Sequence, residues 1–102
     1  MAEYHRVAAV ADVPPGMGTE CTAGGRMIAL YNVDGEFYAL DGVCPHAGGP
    51  LGKGVLDGQI VTCPWHGWQF DVTSGHHCLN DALQHPQFDV KVDGDDVLVA
   101  IP

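Results

Sequence analysis

Short apolar runs rich in β-branched and aromatic residues recur along the chain: Tyr4 to Val10, Arg26 to Asn32, Glu36 to Asp41, Gln59 to Cys63, Trp68 to Asp71, Gln87 to Val92 and Asp96 to Ile101. Runs of this length and composition predict strands, and no stretch reads as a long helix. Val33-Asp34-Gly35-Glu36 and Val92-Asp93-Gly94-Asp95 set Asp-Gly between such runs. That dipeptide predicts two tight hairpins, because Gly takes a positive φ without a steric clash. The 14 Gly and 7 Pro fall mostly between the runs. The pattern therefore predicts an all-β fold of small antiparallel sheets, sandwich-like or barrel-like, with substantial loops. A length of 102 residues predicts one domain, 1–102, since a domain takes roughly 100 to 200 residues.

Two loops break the strand rhythm. The longer covers about 42–54 and the shorter about 63–68. An ordered loop as long as the first is usually functional, because its backbone polar groups must find partners that regular structure does not supply. Each loop holds one Cys and one His, as Cys44-Pro45-His46 and Cys63-Pro64-Trp65-His66, with 16 residues between His46 and Cys63. Pairs this tight let one loop offer both side chains to a single centre.

Charge and cysteine usage narrow the chemistry. The balance of 13 acidic against 4 basic residues, a net charge of −9, disfavours phosphate backbones and anionic membranes and suits a protein partner with a basic face. No apolar run approaches the roughly 20 residues that span a bilayer. The N-terminus lacks a basic segment followed by an apolar one. The expectation is a cytoplasmic protein with no membrane or nucleic-acid partner. Thiols in a reducing compartment more often bind metal or sit buried than pair, so Cys21 and Cys78, outside the two dyads, are expected to be free.

The two Cys-to-His dyads, their separation and the neighbouring Pro45, Gly48, Gly49, Pro50, Pro64 and Gly67 resemble the Rieske pattern, and the resemblance extends over essentially the whole chain. It implies the Rieske fold, with two loops forming a cluster-binding tip. It implies one [2Fe–2S] cluster, with Cys44 and Cys63 on one iron and His46 and His66 on the other. Two ferric ions, two sulfides and two thiolates sum to zero charge, so such a centre accepts an electron more readily than a four-thiolate one. Rieske potentials accordingly span about −150 to +300 mV, against about −400 mV for plant-type clusters. High-potential members typically place a Ser and a Tyr after the second His and a disulfide between the loops. Here Trp68 and Phe70 stand at those places and no loop Cys is spare. A potential near the low end is expected, as in the ferredoxins of bacterial aromatic-ring oxygenases.

The function this resemblance implies is a soluble one-electron carrier, not itself an enzyme. It would run as a monomer between a flavin-containing reductase and a terminal oxygenase. An alternative is the small Rieske-like subunit of an assimilatory nitrite reductase, which has the same ligand set. A zinc-bound structural or regulatory module is a third reading, although Cys-x-His answered by Cys-x2-His is atypical for structural zinc. Cys78-Leu79-Asn80 departs from the Pro-containing stretch common after the second loop in such ferredoxins. His76, His77 and His85 are expected to be solvated surface residues and not part of a two-His-one-carboxylate iron site with Asp71, Asp81 or Asp89. Trp65 is expected to shield the cluster and pack, and Trp68 and Phe70 to lie in the core beneath it.

Overall fold

A computed structural model describes residues 3–43, 50–65, 67–78 and 80–101. Among the described residues, twelve strands form three antiparallel sheets. The first sheet has the order β1-β12-β11 and consists of Glu3–Ala9, Asp96–Ile101 and Val90–Asp93. The second, β10-β4-β3-β2, consists of Gln87–Phe88, Glu36–Asp41, Arg26–Val33 and Gly18–Ala23. The third, β5-β6-β7-β8-β9, consists of Val55–Asp57, Ile60–Thr62, Gln69–Asp71, His76–His77 and Asn80–Gln84. Two 3₁₀ turns, Val10–Asp12 and Leu51–Lys53, are the helical elements among the described residues. No helix there is long and apolar enough to cross a membrane.

The second sheet is the middle layer, and β3 shows why. Successive side chains of a strand point to opposite faces. Ile28 and Leu30 enter one core with Ala8, Val97, Val99 and Ile101 of the first sheet. Ala29 and Tyr31 enter another core with Leu51, Val61, Cys63, Phe70 and Val72 of the third sheet and its loops. A strand covered on both faces needs a continuous apolar run rather than an alternating one, and Met27-Ile28-Ala29-Leu30-Tyr31 is such a run.

Both expected hairpins form. Val33 pairs with Glu36 around Asp34 and Gly35, each with positive φ (53° and 95°). Asn32 anchors this turn by accepting from the Gly35 amide (2.7 Å) while donating to Val13 O (2.7 Å). In the second hairpin Asp93 pairs with Asp96, so Gly94 (φ 61°) and Asp95, not Asp93 and Gly94, occupy the bend.

The run Gln87 to Val92 departs from a single strand. It breaks at Asp89, so that β10 pairs with β4 of the second sheet and β11 with β12 of the first. The carbonyl of Asp89 accepts from the Ala100 amide (2.9 Å) at the crossover. Strand β2 lacks an apolar run and is built by pairing with β3 across Gly24-Gly25 (φ 56° and 77°). That Gly-Gly dipeptide was its one local signal.

Candidate metal centre

Both loops spring from the same core. The longer leaves β4 of the second sheet. Its mouth is closed by a bridge between Val43 and Pro50 and by the Leu51 amide donating to Gly42 O (3.0 Å). The shorter joins β6 to β7 in the third sheet, where the Cys63 amide donates to Trp68 O (2.7 Å) and Thr62 pairs with Gln69. Leu51 and Cys63, at the two roots, are buried in one apolar cluster, and Gly54, after the longer loop, lies against Thr62 O, before the shorter one. The roots are therefore neighbours although they begin on different layers.

Glycines permit this approach at two positions. A Cβ on Gly52 would stand 2.9 Å from Thr19 O, so the turn after the longer loop can lie on β2 only without one. A Cβ on Gly54 would collide with the carbonyl oxygen of Thr62, the residue before Cys63. The Tyr31 hydroxyl, inside the fold, donates to Leu51 O (2.8 Å) and ties the end of the longer loop to β3.

Of the four expected ligands, Cys63 is placed at 1% exposure among apolar neighbours. Cys44, His46 and His66 lie outside the described residues. A thiol shielded from water at the root of one loop, in the same cluster as the root of a second loop whose sequence carries another Cys and His, is a donor set that fits a [2Fe–2S] group.

Three expectations about nearby residues are corrected. His77 and His85 are not solvated: they are 6% and 4% exposed. They form a column of rings in which His85 lies 5.4 Å from Phe70, Phe70 lies 5.2 Å from His77, and His77 meets Trp68 edge-on at 4.6 Å. Aromatic surroundings draw these imidazoles inward despite their polarity. Trp65 does not pack into the interior. It is 49% exposed, and Val43 at the mouth of the other loop is 48% exposed. Phe70 is fully buried and Trp68 packs against the same core, as expected.

Cys21 is a free thiol in the other core, and Cys78 is exposed. Burial, with Asp12 and Glu20 near it, pushes the Cys21 thiol above its ordinary value. Asp71, at the end of β7, is pushed up by burial. That effect is outweighed by bonds from the Thr73 hydroxyl (2.6 Å) and amide (2.9 Å) and from the Gln59 amide (2.7 Å), with His76 nearby, so the carboxyl stays below its ordinary range. Sequence reasoning missed Tyr31, Asp41 and His85 as supports of the loops. Their spacing carries no signal, because each acts on a segment distant in the chain.

Comparison with known proteins places these features. The Rieske [2Fe-2S] domain family matches residues 3–99. The ferredoxin component of the naphthalene 1,2-dioxygenase system of Pseudomonas aeruginosa is 34% identical over 92 residues, covering 89% of this chain and 88% of that one. The ferredoxin of carbazole 1,9a-dioxygenase from Nocardioides aromaticivorans IC177 superposes with a TM-score of 0.89 at 31% identity over 97% of this chain and 98% of that one. A ferredoxin chain solved in complex with the oxygenase of carbazole 1,9a-dioxygenase gives a TM-score of 0.86 at 32% identity, covering 95% and 92%. A nitrite reductase small subunit from Mycobacterium tuberculosis (TM-score 0.89, 21% identity, 100% and 97% covered) shares the fold alone.

Proposed function

Because this chain belongs to the Rieske [2Fe–2S] domain family, we propose that it is the ferredoxin of a multicomponent oxygenase system, taking single electrons from a flavin-containing reductase and delivering them to a terminal oxygenase. The observation that carries the reading is the pair of adjacent loop roots, one of them the buried Cys63, in a chain that matches oxygenase ferredoxins over nearly its full length. The whole chain, 1–102, acts as one unit, with ligand loops at about 42–54 and 63–68. It works as a monomer in the cytoplasm.

Cys44, Cys63, His46 and His66 hold the cluster, the thiols as thiolates and the imidazoles through a ring nitrogen. When bound, the cluster supplies one reversible electron. The protein's own contribution is to shield and to present. Burial of Cys63 keeps water from the sulfur side, and the pinned loop mouths limit the rearrangement that a change of charge demands. Exposed Trp65 and Val43 offer an oxygenase an apolar contact beside the loops, and the net charge of −9 speeds encounter with a basic partner surface. Trp68 and Phe70 bring no hydroxyl, and the Tyr31 hydroxyl is given to Leu51 O. With no hydroxyl at positions 68 and 70 to stabilise the extra negative charge, the potential falls toward about −150 mV, the low end of the family's range.

The test is anaerobic purification with iron and sulfide, followed by elemental analysis, visible absorption, electron paramagnetic resonance of the reduced form and redox titration. Expected are about two irons and two sulfides per chain, loss of both in Cys63→Ser, and transfer of electrons from a flavin reductase. A colourless wild-type protein with neither element overturns the reading, and zinc in their place supports the structural module. A potential well above zero overturns the low-potential assignment alone.

A further inference from the structure

The two loop roots begin on different sheets, so something must fix the end of β4, where the longer loop starts, against the third sheet. One dipeptide does this from both sides. The Asp41 amide donates to Pro86 O (2.9 Å), and His85 Nε2 lies 2.7 Å from Asp41 O. Facing a carbonyl oxygen, Nε2 must carry the hydrogen and donate it. The main chain of His85 is itself held by the third sheet: its amide donates to Gly75 O (2.7 Å), in the β7–β8 turn. The fit there is close, since a Cβ on Gly75, whose φ is +80°, would stand 2.5 Å from His85 O. The His85 ring also packs on Phe70, in the strand that follows the shorter loop.

We propose that His85 is a positioning residue for the redox centre, a clamp that sets the spacing of the two ligand loops by holding Asp41, three residues before Cys44. This rests on the function proposed above. Two further contacts meet this corner: the Arg26–Asp41 ion pair is 4.0 Å and exposed on the Arg26 side, and the Gly42 amide donates to Met27 O (2.9 Å), which holds the end of β4 to β3 but not to the third sheet. His85 itself is 4% exposed, and its bond to Asp41 O is partly buried. With the imidazole itself shielded from water, its removal takes from Asp41 O the donor that faces it. The imidazole therefore acts on the ligands through a backbone carbonyl, without approaching the centre itself.

The test compares three full-length proteins loaded with iron and sulfide: wild type, His85→Phe, which keeps the ring stacked on Phe70 but has no donor, and His85→Gln, which restores a donor without the ring. Readouts are the g-values of the reduced centre, its midpoint potential and the rate at which visible absorption is lost to a chelator. In His85→Phe the loss should quicken about tenfold, with shifted g-values and potential, and His85→Gln should recover part of the difference. Circular dichroism checks that each variant folds. Spectrum, potential and loss rate of His85→Phe all equal to wild type overturn the clamp, as does a melting temperature that falls while those three stay fixed. If His85→Phe fails to fold, His85→Leu, which likewise has no donor, takes its place, and values unchanged from wild type overturn the proposal. A wild-type protein that takes up no iron or sulfide overturns the function instead, so the two failures are distinguishable.

Discussion

The two cores on opposite faces of the middle sheet differ in what they enclose. The core against the first sheet is hydrocarbon apart from the Cys21 sulfur: Ile28, Leu30, Val97, Val99 and Ile101 with small neighbours. The core under the loops contains the Tyr31 hydroxyl and the Cys63 thiol, with buried His77 and His85 stacked against Phe70. Two of these groups hold backbone at the ends of the longer loop, Tyr31 at Leu51 O and His85 at Asp41 O. A hydrocarbon core gains stability in proportion to the area it removes from water and is indifferent to direction. A core that fixes loops needs directional bonds, and a hydrogen bond yields only about 1 kcal/mol net while costing more when its partner is lost. The first core thus supports the fold, and the second trades some of that gain for placement of a site.

Truncation in each core sharpens the division most. Phe70→Ala should cost about 3–5 kcal/mol and also alter the reduced-state spectrum, because the ring it removes supports both His77 and His85. Leu30→Ala should cost about 2–5 kcal/mol and leave spectrum and potential as they were. Urea melts paired with electron paramagnetic resonance read both quantities. An equal spectral change in the two variants breaks the division.

A smaller effect tests the loop side by pH. The Asp71 carboxyl is held below its ordinary value of 3.8, so the stability it contributes is present above the unfolded pKa and is lost as pH falls through the folded one. Asp71→Asn should therefore cost about 1 kcal/mol at neutral pH and less toward about pH 2, where the wild type also carries a protonated group. Melts of both proteins across that range measure it, and a constant difference would sink the assignment.

The smallest effect leaves stability untouched. Cys21, buried and with its thiol pushed up, should resist iodoacetamide in the native protein, while exposed Cys78 should react. Mass spectrometry before and after denaturation reads each site, and rapid native labelling of Cys21 would show the hydrocarbon core to be open.

How much was legible follows from these residues. Strands β4 and β12 have the expected bounds, Glu36–Asp41 and Asp96–Ile101, because apolar runs and Gly-containing turns are local signals. Strand β2 was not legible, since Thr19, Glu20 and Thr22 form a strand chiefly through pairing with β3. The family was legible from the dyads Cys44/His46 and Cys63/His66, because a Cys and a His inside one loop form a local pattern, and the family match over residues 3–99 agrees with the kinship they implied.

By itself the sequence determined the strand-rich class, the hairpins, the two loops and the chemical kind of donor each loop carries. All of these are set by residues within a few positions of one another. The tertiary structure alone decided that one β-rich run changes sheets at Asp89, that β3 serves two cores, that Trp65 stands exposed, and that His85 is buried against Asp41. Those outcomes depend on which distant backbone groups and rings meet once the layers are packed, and the partners of His85 lie 44 positions away at Asp41 and 15 at Phe70.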